Sequence, residues 1–218
     1  MPPSRYTEIG ASALAEYLQD RKEKFANYLT SKEIESCEEI LESIDQLAQK
    51  ISREDIALTV DIHNISAALV IPFHLMDVSR QLTHVVHGEA HCFDPLGIPL
   101  VATKKEPRSE FPYLVCDIEQ GRHTENRTFA TKDLPENRVA LLLEEGIAVF
   151  REHPSILDAK DIHGFAFRGY HLDGVVPVGI SLNTAKRPHI SRVPDLPHSK
   201  WSVLTRVEVI TLEEGMGT

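Results

Sequence analysis

The chain has 218 residues, of which 42% are hydrophobic and 26% are charged, a composition typical of a folded protein with a sizeable core. Its formal net charge of −10 at pH 7 disfavours general nucleic-acid binding, because neutralising phosphates requires a basic surface. The three cysteines form no CxxC pair, which disfavours a disulfide framework or a four-thiolate zinc site and predicts free, mostly buried thiols.

The N-terminal sequence MPPSRYTEIG lacks the charged and then apolar pattern of a secretory signal. No stretch of the chain approaches the roughly 18 consecutive apolar residues that a membrane-spanning helix requires. We therefore expect a cytoplasmic protein without a membrane partner.

The beginning of the chain predicts two amphipathic helices. Apolar residues recur at helical intervals over 12–29 and again, in alternating steps of three and four, over 34–51. We expect the two helices to form an antiparallel hairpin within residues 1–52, which packs on a domain formed by residues 53–218. The alternative is packing against a second copy, as a homo-oligomer through residues 12–51.

Two capping-box patterns predict where helices begin. In such a box, a Ser or Thr accepts a hydrogen bond from the backbone of the first helical turn, and an acid three residues later reaches back. Thr30 with Glu33 predicts the start of the second helix. Ser52 with Asp55 predicts a short third helix.

The remainder of the chain predicts strands and one further helix. Short apolar runs bounded by Pro, Gly or charged residues are typical of strands, and they occur at 67–73, 98–102, 113–118, 163–169, 175–181 and 202–210. The segment 133–157 has helical spacing that Pro154 closes, although Gly146 lies inside it. The predicted fold class is α+β, an N-terminal helical hairpin followed by a largely antiparallel or mixed sheet with at least one packed helix.

The stretch LTHVVHGEAHCFD at 82–94 contains three histidines and a cysteine, and two structures compete for it. As a helix, it would place His84, His87 and His91 within one arc, which is a plausible face for metal ligands. The β-branched residues before Gly88 favour a hairpin instead, because they prefer extended backbone and Gly88 fits the turn. We therefore expect a hairpin with its tip at Gly88 and the residue that follows.

In this hairpin, Val86 pairs with His91 across the turn. His84 pairs with Phe93 one step further out, so that His84 and His91 share one face of the sheet. His87 then lies on the opposite face. His84 and His91 are the candidate metal ligands, and a divalent metal would need a third ligand from elsewhere, which makes it less favoured than no metal.

The second half of the chain contains YLVCDIEQG, LEEGIAVFREHPSIL, VVPVGISLNTAKRPHI and PHSKW, and together they resemble a family of uncharacterised bacterial proteins, a domain of unknown function. The resemblance covers roughly residues 70–201, and its best positions are Glu145, Gly146, Ile147, Ala148, Pro154, Val176, Pro177, Ile180, Ser181, Arg187, Pro188, Pro197 and His198. Gly88 and Phe93 also fit that pattern, whereas the three histidines depart from it. The resemblance implies an intact bacterial domain and carries over no catalytic residue.

The segment 186–201 is a basic and aromatic stretch in an acidic chain. Its candidate ligand-binding residues are Lys186, Arg187, His189, Arg192, Lys200 and Trp201. An anion would meet a favourable local field here, and Arg187 offers a planar fork for a carboxylate or phosphate. His198 can exchange a proton near neutral pH and is the candidate catalytic residue. The alternative is an exposed basic loop that pairs with acids elsewhere on the surface.

Other catalytic patterns are missing from the sequence. No GxSxG, GxGxxG, GxxxxGK or HExxH motif occurs, which disfavours the common hydrolase, nucleotide-binding and zinc-protease classes. Glu144 and Glu145 are adjacent acids, but on an amphipathic helix we expect their side chains to face water.

These observations lead to one leading hypothesis and two alternatives. The leading hypothesis is a binding domain for a small anionic molecule or a protein partner, acting through residues 186–201. The first alternative is an enzyme that uses His198 as acid or base, with or without a metal at His84 and His91. The second is an assembly component that oligomerises through its N-terminal helices.

Overall fold

The computed structural model describes residues 5–31, 36–94, 100–102, 108–119, 134–158, 164–172, 176–193 and 201–213. The helices within these ranges are α1 Ala11–Ser31, α2 Cys37–Arg53, α3 Val78–Leu82 and α4 Leu143–Glu152, with a 3₁₀ helix at Pro154–Asp158. The strands are β1 Tyr6–Ile9, β2 Leu58–Asp61, β3 Ile65–Val70, β4 Val86–His87, β5 Ala90–His91, β6 Leu100–Ala102, β7 Tyr113–Ile118, β8 Val139–Ala140, β9 Gly164–Leu172, β10 Val176–Leu182, β11 Pro188–Arg192, β12 Trp201–Val203, β13 Thr205–Arg206 and β14 Glu208–Ile210.

The chain divides into two compact units. The first comprises Met1–Met76, Arg108–Ile118 and Glu208–Thr218. The second comprises Asp77–Pro107 and Glu119–Val207.

The first unit contains the predicted helical hairpin. α1 packs against α2, β1 pairs with β2, and β14, β7 and β3 form a second antiparallel sheet. One hydrophobic core joins these elements and includes Leu18 and Leu47 from the helices and Leu69 and Leu114 from the strands. The apolar seam of the hairpin is therefore covered within its own unit, as the intramolecular prediction expected.

Both capping-box predictions are wrong. Thr30 lies inside α1, and α2 begins only at Cys37. Ser52 lies inside α2, and residues 54–57, where a third helix was expected, form a turn that leads into β2. The reason is that the apolar spacing continues to the end of α2, where Ile51 is buried in the core. Packing of that turn outweighs a local capping signal.

The second unit is built on a mixed sheet. Its strands lie in the order β11, β10, β9 and β12, and β6 also pairs with β9. The pair of β12 with β9 is parallel, and the other pairs are antiparallel. α4 packs on β9. The α+β class is thus confirmed, with helical hairpin, sheet and packed helix.

Some predictions on organisation remain open. The domain boundary expected at residue 52 stays a prediction. In the part of the chain that the structure describes, no helix has an apolar stretch long enough to cross a membrane.

The predicted strand at 202–210 is divided among three sheets. β12 pairs with β9 and β13 with β8 in the second unit, whereas β14 pairs with β7 in the first. An extended apolar pattern predicts strand backbone but does not specify the partner strand.

α4 is shorter than the helical segment predicted at 133–157. Val139 and Ala140 form β8, so the backbone is extended just before the helix. At the helix start, Glu145 accepts a hydrogen bond from the Leu142 N–H at 2.7 Å. This bond satisfies a donor close to the start of the helix, as the acid of a capping box does.

Packing explains the glycine inside α4. A β-carbon at Gly146 would overlap with the ring of Phe167, so the helix and β9 approach too closely for any side chain at this position. Gly146, which weakened the helix prediction, is therefore explained by the close contact between the helix and the sheet.

We expect Gly146→Ala to destabilise the protein by about 1–3 kcal/mol, because the added methyl group must displace an aromatic ring. Helix propensity alone would predict the opposite sign, since alanine is favoured over glycine by about 1 kcal/mol. Urea denaturation measures the change. Phe167→Leu makes room for the methyl group, so the double variant should lose less than the sum of the single losses. Strictly additive losses of unfolding free energy in the double variant would contradict a clash between the added methyl group and Phe167.

Candidate functional site

Two stretches that the sequence singled out separately meet in the second unit. Phe93, which follows the β4–β5 hairpin, forms a parallel bridge with His189 of β11. The Phe93 N–H donates to the Pro188 carbonyl at 3.3 Å, and the Phe93 carbonyl accepts from the Ile190 N–H at 3.0 Å. The histidine-rich hairpin therefore adjoins the start of the basic segment.

His87 makes a second connection between these stretches. Its Nδ1 donates to the Lys186 carbonyl oxygen at 3.1 Å, and its Nε2 lies 2.9 Å from an Asp158 carboxylate oxygen. The two contacts tie the β4–β5 hairpin both to the basic turn and to the 3₁₀ helix.

The turn between β10 and β11 presents the first two cations of the basic segment. The Asn183 side-chain oxygen accepts hydrogen bonds from the N–H groups of Ala185 at 2.9 Å and Arg187 at 3.0 Å. Lys186 adopts a φ of 58°, in the left-handed region that such a hairpin loop requires. Both cationic side chains are exposed, but the backbone that carries them is fixed by hydrogen bonds.

The guanidinium of Arg187 lies against an aromatic ring. Its central carbon is 4.9 Å from the centroid of the Phe93 ring, which is a cation–π distance. Because the Arg187 side chain is also exposed, its N–H groups can meet an acceptor from solvent. Within the described ranges, no carboxylate forms an ion pair with Arg187 or Lys186.

β11 carries polar side chains along one face. His189 and Ser191 alternate with the buried Pro188 and Ile190, so the period of two places them on the same side. Arg187 directly precedes the strand and contacts Phe93, on which the His189 ring also stacks. Ser181 of β10 lies directly opposite His189. Together with Phe93, these four residues form what we call the polar strip.

The polar strip is internally hydrogen-bonded. Ser191 Oγ lies 3.0 Å from His189 Nε2 and 2.6 Å from Ser181 Oγ. The His189 ring also stacks on Phe93, with centroids 5.8 Å apart and planes inclined by 29°. The strip therefore presents a fixed imidazole and two hydroxyls beside an exposed guanidinium.

The other predicted ligand-binding residues are placed differently. Trp201 is buried over two glycines of β9 and β10, where a β-carbon would overlap with its ring. Arg192 is exposed at the end of β11. Lys200 and the predicted catalytic residue His198 lie outside the described residues. The functional roles of all four stay predictions.

The predicted hairpin at 82–94 is confirmed at its tip. Gly88 has a φ of 61°, and Val86 pairs with His91 as expected. The pairing of Phe93 with His84 is wrong, because Phe93 pairs with β11 instead.

His84 belongs to the turn that ends α3. Its N–H donates to the Gln81 carbonyl at 3.1 Å, and the Val85 N–H donates to the Leu82 carbonyl at 3.0 Å. His84 therefore does not share a strand face with His91. The outer part of the predicted hairpin does not form, for two reasons. His84 follows the end of α3, and Phe93 pairs with a distant strand.

The charge of His91 nevertheless contributes to the lowered pKa of His84. The pKa of His84 is lowered to about 4, chiefly by burial and then by the charges of Arg151 and His91. His91 Nδ1 donates to the Thr83 carbonyl at 2.6 Å. Among the residues that the structure describes, no three His, Cys, Asp or Glu side chains lie together as a metal site requires. The metal site at His84 and His91 stays a prediction.

The expectation that Glu144 and Glu145 face water is wrong. Both are buried, with exposed fractions of 2% and 1%. Glu145 pairs with the Arg206 guanidinium at 3.0 Å, and Tyr170 donates to Glu144 at 3.5 Å. The helix packs with its acidic side inward because these partners compensate the buried charge.

The three cysteines are free, as predicted, with Cys92 and Cys116 buried. Burial raises the pKa of Cys92 to about 12. The thiol next to Phe93 in the chain is therefore protonated at neutral pH and is a poor nucleophile.

Sequence reasoning missed Phe93, Ser181 and Ser191 as members of the site. A signal for one of them exists in RPHIS at 187–191, where alternation predicts that Ser191 shares a face with Arg187. Phe93 and Ser181 come from other strands, so no local pattern assigns them.

Comparison of the chain with protein-family models, curated proteins and solved structures found no match. The resemblance to a bacterial family of unknown function therefore stays a prediction, and function has to be inferred from the polar strip itself.

The strained position of Lys186 can be tested by Lys186→Gly. We expect this variant to be more stable by about 0.5–1 kcal/mol, because glycine adopts a left-handed backbone without the steric cost that other residues carry. Thermal and urea unfolding measure the change. Lys24→Gly, in the interior of α1, should instead lose about 1 kcal/mol. A loss of stability in Lys186→Gly would contradict the assigned turn.

A second prediction concerns pH. Because the folded pKa of His84 is below its ordinary value of 6.5, the unfolded chain takes up the proton first as pH falls. The stability that neutral His84 contributes is therefore complete above pH 6.5 and is lost as pH falls towards 4. We expect the melting temperature to fall more between about pH 7.5 and about pH 5 in the wild type than in His84→Gln.

The matched control for this experiment is His63→Gln, which changes an exposed histidine and should follow the wild type. A wild type and a His84→Gln variant that lose stability in parallel would contradict a buried neutral His84.

Proposed function

We propose that this protein binds a small oxyanion, a carboxylate or a phosphate, at the polar strip, with Arg187 as the principal contact. The observation that carries the proposal is the placement of the guanidinium, stacked on Phe93 at 4.9 Å with its side chain exposed. A guanidinium held by its face offers two parallel N–H groups along its edge, which match the two oxygens of a carboxylate or phosphate.

Charge supports the same proposal. The chain carries a formal net charge of −10, yet Lys186 and Arg187 sit side by side in one turn. No described acid pairs with either of them. Such a turn creates a local positive potential on a protein whose average field repels anions, so an anion is attracted to this turn in particular.

Preorganisation is the third support. The Asn183 side chain fixes the backbone of the turn, and Phe93 restricts the Arg187 side chain. Less conformational freedom remains to be lost when an anion binds, so a single charged contact contributes more to affinity than it would on a free side chain.

We expect Arg187→Ala to weaken oxyanion binding by about 10- to 100-fold, the effect of losing hydrogen bonds to a charged group. Isothermal titration with phosphate, acetate, malonate and citrate at low salt measures the affinity. Arg187→Lys keeps the charge but loses the planar fork, so its affinity should be intermediate. Affinity should also fall as salt is raised.

Arg53→Ala is the control, since it removes an arginine whose side chain is 77% exposed and that belongs to the first unit. It should bind like the wild type. Two outcomes would contradict the proposal: no saturable binding of any anion in the panel, or equal affinities for the wild type and Arg187→Ala.

A further inference from the structure

One buried polar atom of the polar strip lacks a hydrogen-bond partner within the described structure. His189 Nδ1 is buried and has no hydrogen-bond partner among the residues that the structure describes. The other ring nitrogen, Nε2, is occupied, with Ser191 Oγ at 3.0 Å and Ser181 Oγ at 3.5 Å. Buried polar atoms in native proteins are almost always hydrogen-bonded, so an exception points to a missing partner.

The chemistry of the ring indicates what that partner is. A neutral imidazole has one N–H donor and one acceptor nitrogen. Orphaned buried N–H groups are rarer than orphaned acceptors, so without a ligand the hydrogen resides on Nε2 and points to Ser191. Nδ1 is then left as a bare lone pair, and it becomes a donor only when the ring changes tautomer, releasing the Nε2 hydrogen to water and taking up one from water at Nδ1.

The location of His189 shows which acceptor can arrive. Arg187 and His189 lie two residues apart in the chain and contact the same Phe93 ring, with the guanidinium at 4.9 Å and the imidazole at 5.8 Å from its centroid. A carboxylate or phosphate has at least two oxygens, so it offers an acceptor to each of these two neighbouring groups.

We infer that His189 Nδ1 completes the oxyanion site by donating a hydrogen bond to the same anion that Arg187 binds. This inference rests on the proposed function and names a second binding residue. The ligand class follows from the two donors: it is a carboxylate or phosphate with at least two accessible oxygens, and a neutral or cationic molecule does not satisfy both. Because Nδ1 is covered in this structure, the anion reaches it only after a neighbouring side chain moves.

Binding also changes the hydrogen-bond chain behind the ring. When the neutral ring carries its hydrogen on Nδ1, Nε2 becomes the acceptor for the Ser191 hydroxyl. The short chain from Ser191 to Ser181, with 2.6 Å between the oxygens, then reverses its direction. The serine hydroxyls therefore report whether the anion is present, although they do not touch it.

The test is nitrogen NMR of ¹⁵N-histidine-labelled protein, without anion and at saturating phosphate or acetate. We expect the His189 signal, assigned by comparison with His189→Phe, to gain a hydrogen at Nδ1 on saturation. His189→Phe keeps an aromatic ring against Phe93 but removes the donor, and its affinity for phosphate should fall about 10-fold. Arg53→Ala, in the first unit and outside the polar strip, should keep affinity within about two-fold of the wild type.

The possible outcomes separate this inference from the proposed function. Wild-type binding that depends on Arg187, together with an unchanged Nδ1 signal or unchanged affinity in His189→Phe, overturns the inference and leaves the proposed function standing. Absence of any anion binding in the wild type overturns both. A response to phosphate but not to acetate, with the Nδ1 change, supports the inference and assigns the ligand to the phosphate class.

Discussion

The antiparallel pairing of β10 with β11 fixes the geometry on which the candidate site depends. Its register sets Ser181 opposite His189, and the strand period of two places His189 and Ser191 on one face. Asn183 closes the turn between the two strands. A slip of one residue would turn every polar side chain of the strip inward and bring the apolar side chains of β11 to the surface. The burial of those apolar residues therefore fixes the register, and the register fixes the positions of the polar side chains.

Charges in the second unit are divided between structural and exposed roles. Glu145 is buried, pairs with Arg206 and accepts a hydrogen bond at the start of α4, so its charge is satisfied inside the fold. Lys186 and Arg187 are exposed, and no described acid compensates them. Buried pairs of this kind contribute to a specific geometry, whereas uncompensated surface cations are available to a ligand. The acidic composition of the chain thus coexists with two adjacent exposed cations in one turn.

Phe93 joins features that are distant in the chain. Its backbone pairs with β11, and its ring contacts both Arg187 and His189. His87 adds a second tie, from the β4–β5 hairpin to the Lys186 carbonyl. The hairpin therefore supports the basic turn, and His87 is the histidine that contacts it. In this arrangement an aromatic ring contacts a guanidinium and an imidazole at once, and both of these groups are planar.

The sequence by itself determined features that depend on neighbouring residues: the two amphipathic helices and the hairpin tip at Gly88. Periodicity and turn preference are set by local backbone geometry, so they can be derived without the fold. The tertiary structure decided where α2 ends, which strand Phe93 joins and that Glu144 is buried. These outcomes depend on the free energy of packing against residues distant in the chain, which exceeds capping and propensity contributions of about 1 kcal/mol. The local sequence pattern does not show which distant residues will be the partners.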